Sequence, residues 1–221
     1  MGIGNILMLC QVTAYLLCAI FSFFVFAPMA VNKNNDFNGN CLLFPNGSVD
    51  PQTSVVTIKT WGSPGGCNFA ITIGIVALLV SIAQLVRLSF HVFYETDSSF
   101  IGAFGTFIGN VIITVMVFIS AINITEGYSA WCRLIEQAAS SCSLAGFEEN
   151  IWKKLKYIKP DNYAVELGMV QFGLWSEFLI WLFLSIFSII KLIKYNQQES
   201  IIRSLSRERQ RLLGHYRQPD F

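Results

Sequence analysis

Residues 100–124 read FIGAFGTFIGNVIITVMVFISAINI and contain no charged side chain. A helix of about 20 residues crosses the ~30 Å hydrocarbon core of a bilayer, where the backbone must satisfy its own hydrogen bonds. Three further apolar stretches of sufficient length lie at about residues 6–31, 69–90 and 168–190. The whole chain is 53% hydrophobic and 13% charged, whereas a soluble domain is about 25% charged. We predict an all-α membrane protein built as a four-helix transmembrane bundle.

The first apolar segment is interpreted as an uncleaved membrane anchor. Residues 1–31 contain neither Lys nor Arg, whereas a cleaved signal peptide begins with a positive region. The small-residue site at 27–30 contains Pro28, which fits a cleavage site poorly. The predicted organisation is therefore a bundle over residues 1–195, with outer loops 32–68 and 125–167, an inner loop 91–99, and a cytoplasmic tail 196–221.

Four of the six cysteines fall into two pairs, each confined to one loop. Cys41 and Cys67 lie in the first outer loop, and Cys132 and Cys142 lie in the second. The two loops fall on one side of the membrane because an even number of crossings separates them. We predict two disulfides, which persist outside the cell or in a lumen. Zinc binding is disfavoured, because neither loop contains His or a CxxC spacing.

The orientation follows from the cysteines more than from charge, since Lys and Arg are nearly balanced between the two sides. Lys191 and Lys194 directly follow the fourth segment, which favours a cytoplasmic C-terminus. The sequon Asn46-Gly47-Ser48 predicts glycosylation at Asn46 in the first outer loop. Both termini are therefore predicted to be cytoplasmic, in the plasma membrane or an endomembrane. A second sequon, at Asn123, lies at the membrane edge, where we expect no modification.

The first outer loop is predicted to hold a small β element. A turn signal at residues 45–48 separates an apolar run at 41–44 from the β-branched and aromatic run at 55–61. A bridge between Cys41 and Cys67 would close this loop and stabilise it by about 3 kcal/mol in the chain-entropy model. We therefore expect a stapled hairpin or meander, followed by a glycine-rich turn into the second helix.

Four short motifs, in order, carry a resemblance to a known family. They are FNGNCLLF at 37–44, WGSPGGC at 61–67, Trp131-Cys132 with Cys142, and QFGLW at 171–175. With these motifs the chain resembles the transmembrane protein 179 family of four-pass proteins over nearly its whole length. That family is similar to the claudin-like tetraspans, which form paracellular barriers or act as auxiliary subunits of channels and receptors. The claudin signature places Gly-Leu-Trp in the first outer loop, whereas here it begins the fourth helix. The resemblance implies the architecture but not a barrier function.

Within the predicted membrane segments, small and polar residues are the candidates for helix contacts. Gly105 and Gly109 form a GxxxG pattern, and Asn110 beside them is a candidate donor between helices. This pattern suits packing within the bundle or association with another chain, including a homo-oligomer. Glu177 is interpreted as a structural carboxyl near the outer interface rather than as an ion site.

The tail is predicted to be a basic amphipathic helix. Arg203, Arg207 and Arg211 repeat at every fourth position and form a basic stripe, with apolar residues between them. Such a helix either lies on an anionic inner leaflet or extends the fourth helix into solvent.

The sequence favours a non-enzymatic protein that acts by protein–protein interaction. The two histidines, His91 and His215, are far apart, and no residue pattern predicts catalysis, a metal, a cofactor or nucleic-acid binding. A channel would need a polar path, for which few residues qualify. We expect the partners to be the lipid bilayer and another integral membrane protein. This chain would modulate that protein as an auxiliary, scaffold or adhesion-type tetraspan. The alternative is a tetraspan of vesicle or endomembrane trafficking, or a small channel or transporter.

Overall fold

The computed structural model describes residues 3–50, 52, 55–94, 100–147, 151–152 and 162–215. These residues form four long helices and one hairpin, namely α1 (Ile3–Val31), β1 (Cys41–Val49), β2 (Val56–Gly62), α2 (Pro64–Tyr94), α3 (Phe100–Ile135) and α4 (Tyr163–His215). A π-helical turn, Asn32–Asp36, follows α1, and a 3-10 turn lies at Ala145–Phe147. Each of the four helices contains a stretch long and apolar enough to cross a membrane. The predicted four-helix membrane fold with a stapled β element is confirmed.

Helix α2 begins five residues earlier than the apolar pattern predicts, at Pro64 rather than near residue 69. Proline is favoured at the first position of a helix, and the Ser63 hydroxyl caps the end by accepting the Gly65 N–H at 3.3 Å. The glycines at 65 and 66, predicted to lie in a turn, are therefore helical.

Helices α3 and α4 extend past the predicted spans, because residues beyond the membrane continue to pack along one helical face. Ile124, Trp131 and Ile135 are buried at spacings of seven and four, so α3 continues to Ile135 instead of ending near 124. At the other limit, α4 is unbroken from Tyr163 to His215. Residues 196–215 are thus an extension of the fourth helix.

The bundle has two distinct ends, which we call the hairpin end and the tail end. The hairpin end holds β1, β2 and the loop between α3 and α4, and the tail end holds the start of α1 and the C-terminal part of α4. Helix α1 packs against both α2 and α4, and α3 packs against α4. Helices α2 and α3 contact each other much less, which leaves the bundle most open between them.

The closest helix contacts use glycines that the sequence analysis did not single out. A Cβ added to Gly74 of α2 would lie 3.0 Å from the Phe26 Cβ of α1, and one added to Gly173 of α4 would lie 3.0 Å from the Val25 Cγ2. By contrast, a Cβ on Gly105 or Gly109 would meet nothing within 4 Å. Neither glycine therefore makes a close contact with the other described helices, and a packing role for this pair, within the bundle or with another chain, stays a prediction.

Candidate functional site

The hairpin at one end of the bundle is antiparallel and irregular. Cys41 pairs with Gly62, and Asn46 pairs with Thr60, with register shifts on either side of Asn46. Phe44 lies inside this irregular stretch with φ at +56°, a left-handed conformation that a bulky side chain rarely adopts. Its ring is half exposed, so the bulge turns an aromatic side chain outwards.

The first disulfide and a buried leucine attach the hairpin to the bundle. Cys41 is bonded to Cys67 in the first turns of α2. Leu43 is 1% exposed and reaches α3, because a Cβ added to Gly127 would lie 2.8 Å from the Leu43 Cβ. The glycine at 127 therefore makes room for the leucine, and β1 is held against both helices.

The second disulfide organises the loop between α3 and α4. Cys132, in the last turns of α3, is bonded to Cys142. Tyr163, the first residue of α4, donates a hydrogen bond to the carbonyl oxygen of Cys142, and Trp152 donates one to the Ala145 carbonyl at 2.8 Å. The Val56 N–H of β2 also donates to the Ile151 carbonyl at 3.2 Å. The two loops are thus joined into one unit.

Beneath this unit lies a cluster of aromatic rings, which we call the aromatic cluster. The Trp131 ring stands at its centre, with ring centroids of the four other members between 5.7 and 6.5 Å away. Its members come from the residue after the π-helical turn, from β2, from α3, from the second loop and from α4. They are Phe37, Trp61, Trp131, Trp152 and Tyr163. Such edge-to-face and stacked pairs contribute about 0.5–1.5 kcal/mol each beyond their buried area.

The second loop presents large apolar side chains on its outer side. Leu144 is 57% exposed and Phe147 is 69% exposed, and they lie three residues apart around the 3-10 turn. The Phe147 N–H donates to the Leu144 carbonyl at 3.0 Å, which fixes that turn. Phe44 of β1 is also half exposed, so both outer-loop regions present large apolar side chains at the hairpin end.

Both sequons lie at the hairpin end, in different environments. Asn46 is exposed on β1, and Ser48 two residues later is also exposed. Asn123 and Thr125 lie inside α3, and the Thr125 hydroxyl accepts hydrogen bonds from Gln171 at 3.0 Å and Trp175 at 3.3 Å. Glycosylation at Asn46 stays a prediction.

A second set of polar contacts joins the helices inside the bundle. The Asn110 amide accepts from the Tyr15 hydroxyl of α1 at 3.2 Å and donates to the Ser188 hydroxyl of α4 at 3.0 Å. One turn farther along α3, the Thr114 hydroxyl lies 3.1 Å from the Ser185 hydroxyl. Asn110 therefore bonds to other helices of the same chain. For Gly105 and Gly109, association with another chain remains a prediction.

Glu177 is buried within the bundle. Because α4 begins at Tyr163, Glu177 lies about 21 Å along the helix rather than near its end. Its side chain is completely buried and contacts Ser22 of α1. This contact agrees with a structural carboxyl, and its position near the outer interface stays a prediction.

The tail residues are placed only in part. Arg207 is exposed on the extended part of α4, as are the apolar residues Ile201 and Leu205. The side chains of Arg203 and Arg211 lie outside the described residues. The prediction that these three arginines bind a membrane surface therefore stays a prediction.

The sequence analysis missed most of the aromatic cluster and Ser22. Phe37, Trp61 and Trp131 belong to the motifs quoted above, but nothing in their spacing along the chain indicates that they meet. Trp152 and Tyr163 carry no local signal, because only the folded loop brings them to Trp131.

Comparison with known families gives a match over most of the chain. The family model described as the transmembrane protein 179/179B claudin domain matches residues 7–213. This match confirms the resemblance that the four motifs indicate. No solved structure gives a significant match.

Proposed function

We propose that this chain, which belongs to the transmembrane protein 179/179B claudin-domain family, binds another integral membrane protein through its hairpin end. In this role the claudin-like protein is a non-enzymatic auxiliary, scaffold or adhesion-type tetraspan that modulates its partner. The observation that carries the proposal is the rigid apolar surface at the hairpin end, where Leu144 and Phe147 stand on a doubly stapled unit.

Rigidity matters because binding costs free energy for every loop that becomes ordered. Here the two disulfides and the aromatic cluster attach the described parts of both loops to the helices. Exposed aromatic and aliphatic side chains on such a support have the properties of interface anchors. The hairpin end is thus suited to recognition.

Polar side chains inside the bundle connect its helices to one another. Two hydrogen bonds between polar side chains join α3 to α4 there. One links Asn110 to Ser188, and the other links Thr114 to Ser185. These bonds hold helices together, as buried polar side chains in membrane bundles commonly do.

We place the hairpin end outside the cell or in a lumen, and both termini in the cytoplasm. Both disulfides lie at the hairpin end, and disulfides persist in oxidising compartments. Lys191 and Lys194 directly follow the fourth apolar segment at the tail end, which favours that end as the cytoplasmic side.

Affinity purification in mild detergent tests the proposal with matched variants. Leu144→Ser with Phe147→Ser removes the exposed apolar surface, and Leu205→Ser is the control, since Leu205 is similarly exposed at the tail end. We expect a membrane protein that co-purifies with the wild type and the control to be lost from the double variant. Formation of both disulfides, followed on non-reducing gels, verifies that the double variant is folded.

Cys41→Ser tests the role of the first disulfide while keeping the exposed apolar side chains. We expect it to weaken the same interaction, because the hairpin then loses its covalent attachment to α2. A partner that is retained equally by wild type and by a folded double variant would contradict the proposal.

A further inference from the structure

A small cavity lies between the helices at the tail end of the bundle. Its volume is about 30 Å³, and side chains from all four transmembrane helices line it. A single water needs about 10–15 Å³ by this kind of measure. The cavity therefore has room for one small polar group.

The lining is positively charged and rich in hydrogen-bond donors. Arg87 of α2 and Lys191 of α4 both line it, and no carboxylate is among the described residues that do. One guanidinium nitrogen of Arg87 donates to the Thr106 hydroxyl of α3 at 2.7 Å, which positions the side chain across the gap between α2 and α3. A guanidinium has five N–H donors, so this bond leaves capacity for an anion.

Two amide side chains line the same space. Gln11 of α1 is only 8% exposed, and Gln84 of α2 is half-buried. Neither side chain makes a hydrogen bond to another residue in the described part of the chain. An amide side chain has two N–H donors, so both could donate to a group bound in the cavity.

We propose that this cavity binds the phosphate of an anionic phospholipid headgroup. Arg87 supplies the principal charge-assisted hydrogen bonds, Lys191 adds a second positive charge, and Gln11 and Gln84 donate from within. Basic pockets between transmembrane helices on the cytoplasmic side have the chemistry that such headgroups require. The proposal concerns the tail end and does not depend on the protein partner proposed above.

A lipid fits this position better than a free phosphate ion. Val86 and Phe90 of α2 and Phe104 of α3 are exposed on the bundle surface near the cavity-lining residues, where acyl chains would lie. In the predicted orientation the tail end also meets the cytoplasmic leaflet, which is the leaflet rich in anionic lipids.

Native mass spectrometry of the purified full chain tests the site, with phosphatidic acid as the probe in neutral phosphatidylcholine. We expect one phosphatidic acid to be retained, and Arg87→Gln to lower its affinity by about tenfold, because a charge-assisted contact is lost. Arg133→Gln is the matched control, since Arg133 is an exposed arginine at the hairpin end of α3 and loses the same charge, and we expect it to bind like the wild type. Gln84→Leu gives a second variant of the lining that keeps the positive charge, and we expect weaker binding.

Three outcomes would overturn the proposal. Unchanged binding in folded Arg87→Gln and Gln84→Leu would place the lipid elsewhere. An equal loss in Arg133→Gln would mean that overall charge controls retention. Inorganic phosphate that stabilises the protein against heat as well as phosphatidic acid does, with the same dependence on Arg87, would identify a free-anion site instead.

Discussion

The hydroxyl of Ser22 on α1 lies 2.5 Å from a carboxyl oxygen of Glu177 on α4, and both residues are completely buried. The same hydroxyl lies 2.9 Å from the Cys18 carbonyl. The other carboxyl oxygen of Glu177 has no partner among the described residues. This contact is therefore the polar connection through which the Glu177 side chain joins α4 to α1.

We predict that Ser22→Ala lowers the free energy of unfolding by about 1 kcal/mol, because Glu177 then loses its hydrogen-bond partner inside the bundle. Glu177→Gln is expected to be nearly neutral, since an amide both donates and accepts. Thermal unfolding in detergent measures both effects. Ser120→Ala is the matched control, because the buried Ser120 hydroxyl lacks a partner among the described residues. The free energy of unfolding of this variant should not fall. Equal effects of the two serine variants would contradict this prediction.

A second prediction concerns the space that Gly127 leaves for Leu43. Gly127→Ala should destabilise the protein, by about 1–3 kcal/mol, because the new methyl group would lie 2.8 Å from two Leu43 carbons. Gly105→Ala, also within α3, meets nothing within 4 Å and should be neutral or slightly stabilising. The measurement is the unfolding midpoint of each variant. Equal midpoints would mean that Leu43 does not pack against α3 as described.

The orientation predicts which sequon carries a glycan. We expect a mass shift that is removed by a glycosidase and lost in Asn46→Gln, because Asn46 is exposed on a hairpin placed outside or in the lumen. Asn123→Gln is the control and should leave the shift unchanged, since Thr125 of that sequon is helical and accepts two hydrogen bonds. Labelling of the C-terminal tail on intact, unpermeabilised cells would contradict this orientation.

Much of the fold could be predicted from hydropathy and from the positions of cysteines within loops. The four apolar segments could be predicted because each must cross the same thickness of lipid. The pairing of Cys41 with Cys67 could be predicted because both lie in the same outer loop. The contacts of Gly105 could not be predicted in this way. A GxxxG pattern gives the spacing of small residues but not the direction in which that helix face points, and here a Cβ on Gly105 would meet no atom within 4 Å.

The candidate site was harder to predict than the fold, because its parts are distant in sequence. Phe37 and Tyr163 contact the same tryptophan although more than a hundred residues separate them. Likewise, Glu177 could be recognised as unusual, but its partner Ser22 is a common residue in an apolar helix. Only the packing of α1 against α4 brings the two together.

The central claim is that the hairpin end is the recognition surface, and site-specific photo-cross-linking on intact cells tests it most directly. A photoreactive residue in place of Phe147 should give a discrete covalent adduct with another membrane protein. The same residue in place of Phe172, which is similarly exposed on the transmembrane part of α4, should give none. Adducts from position 172 with none from position 147 would contradict the account.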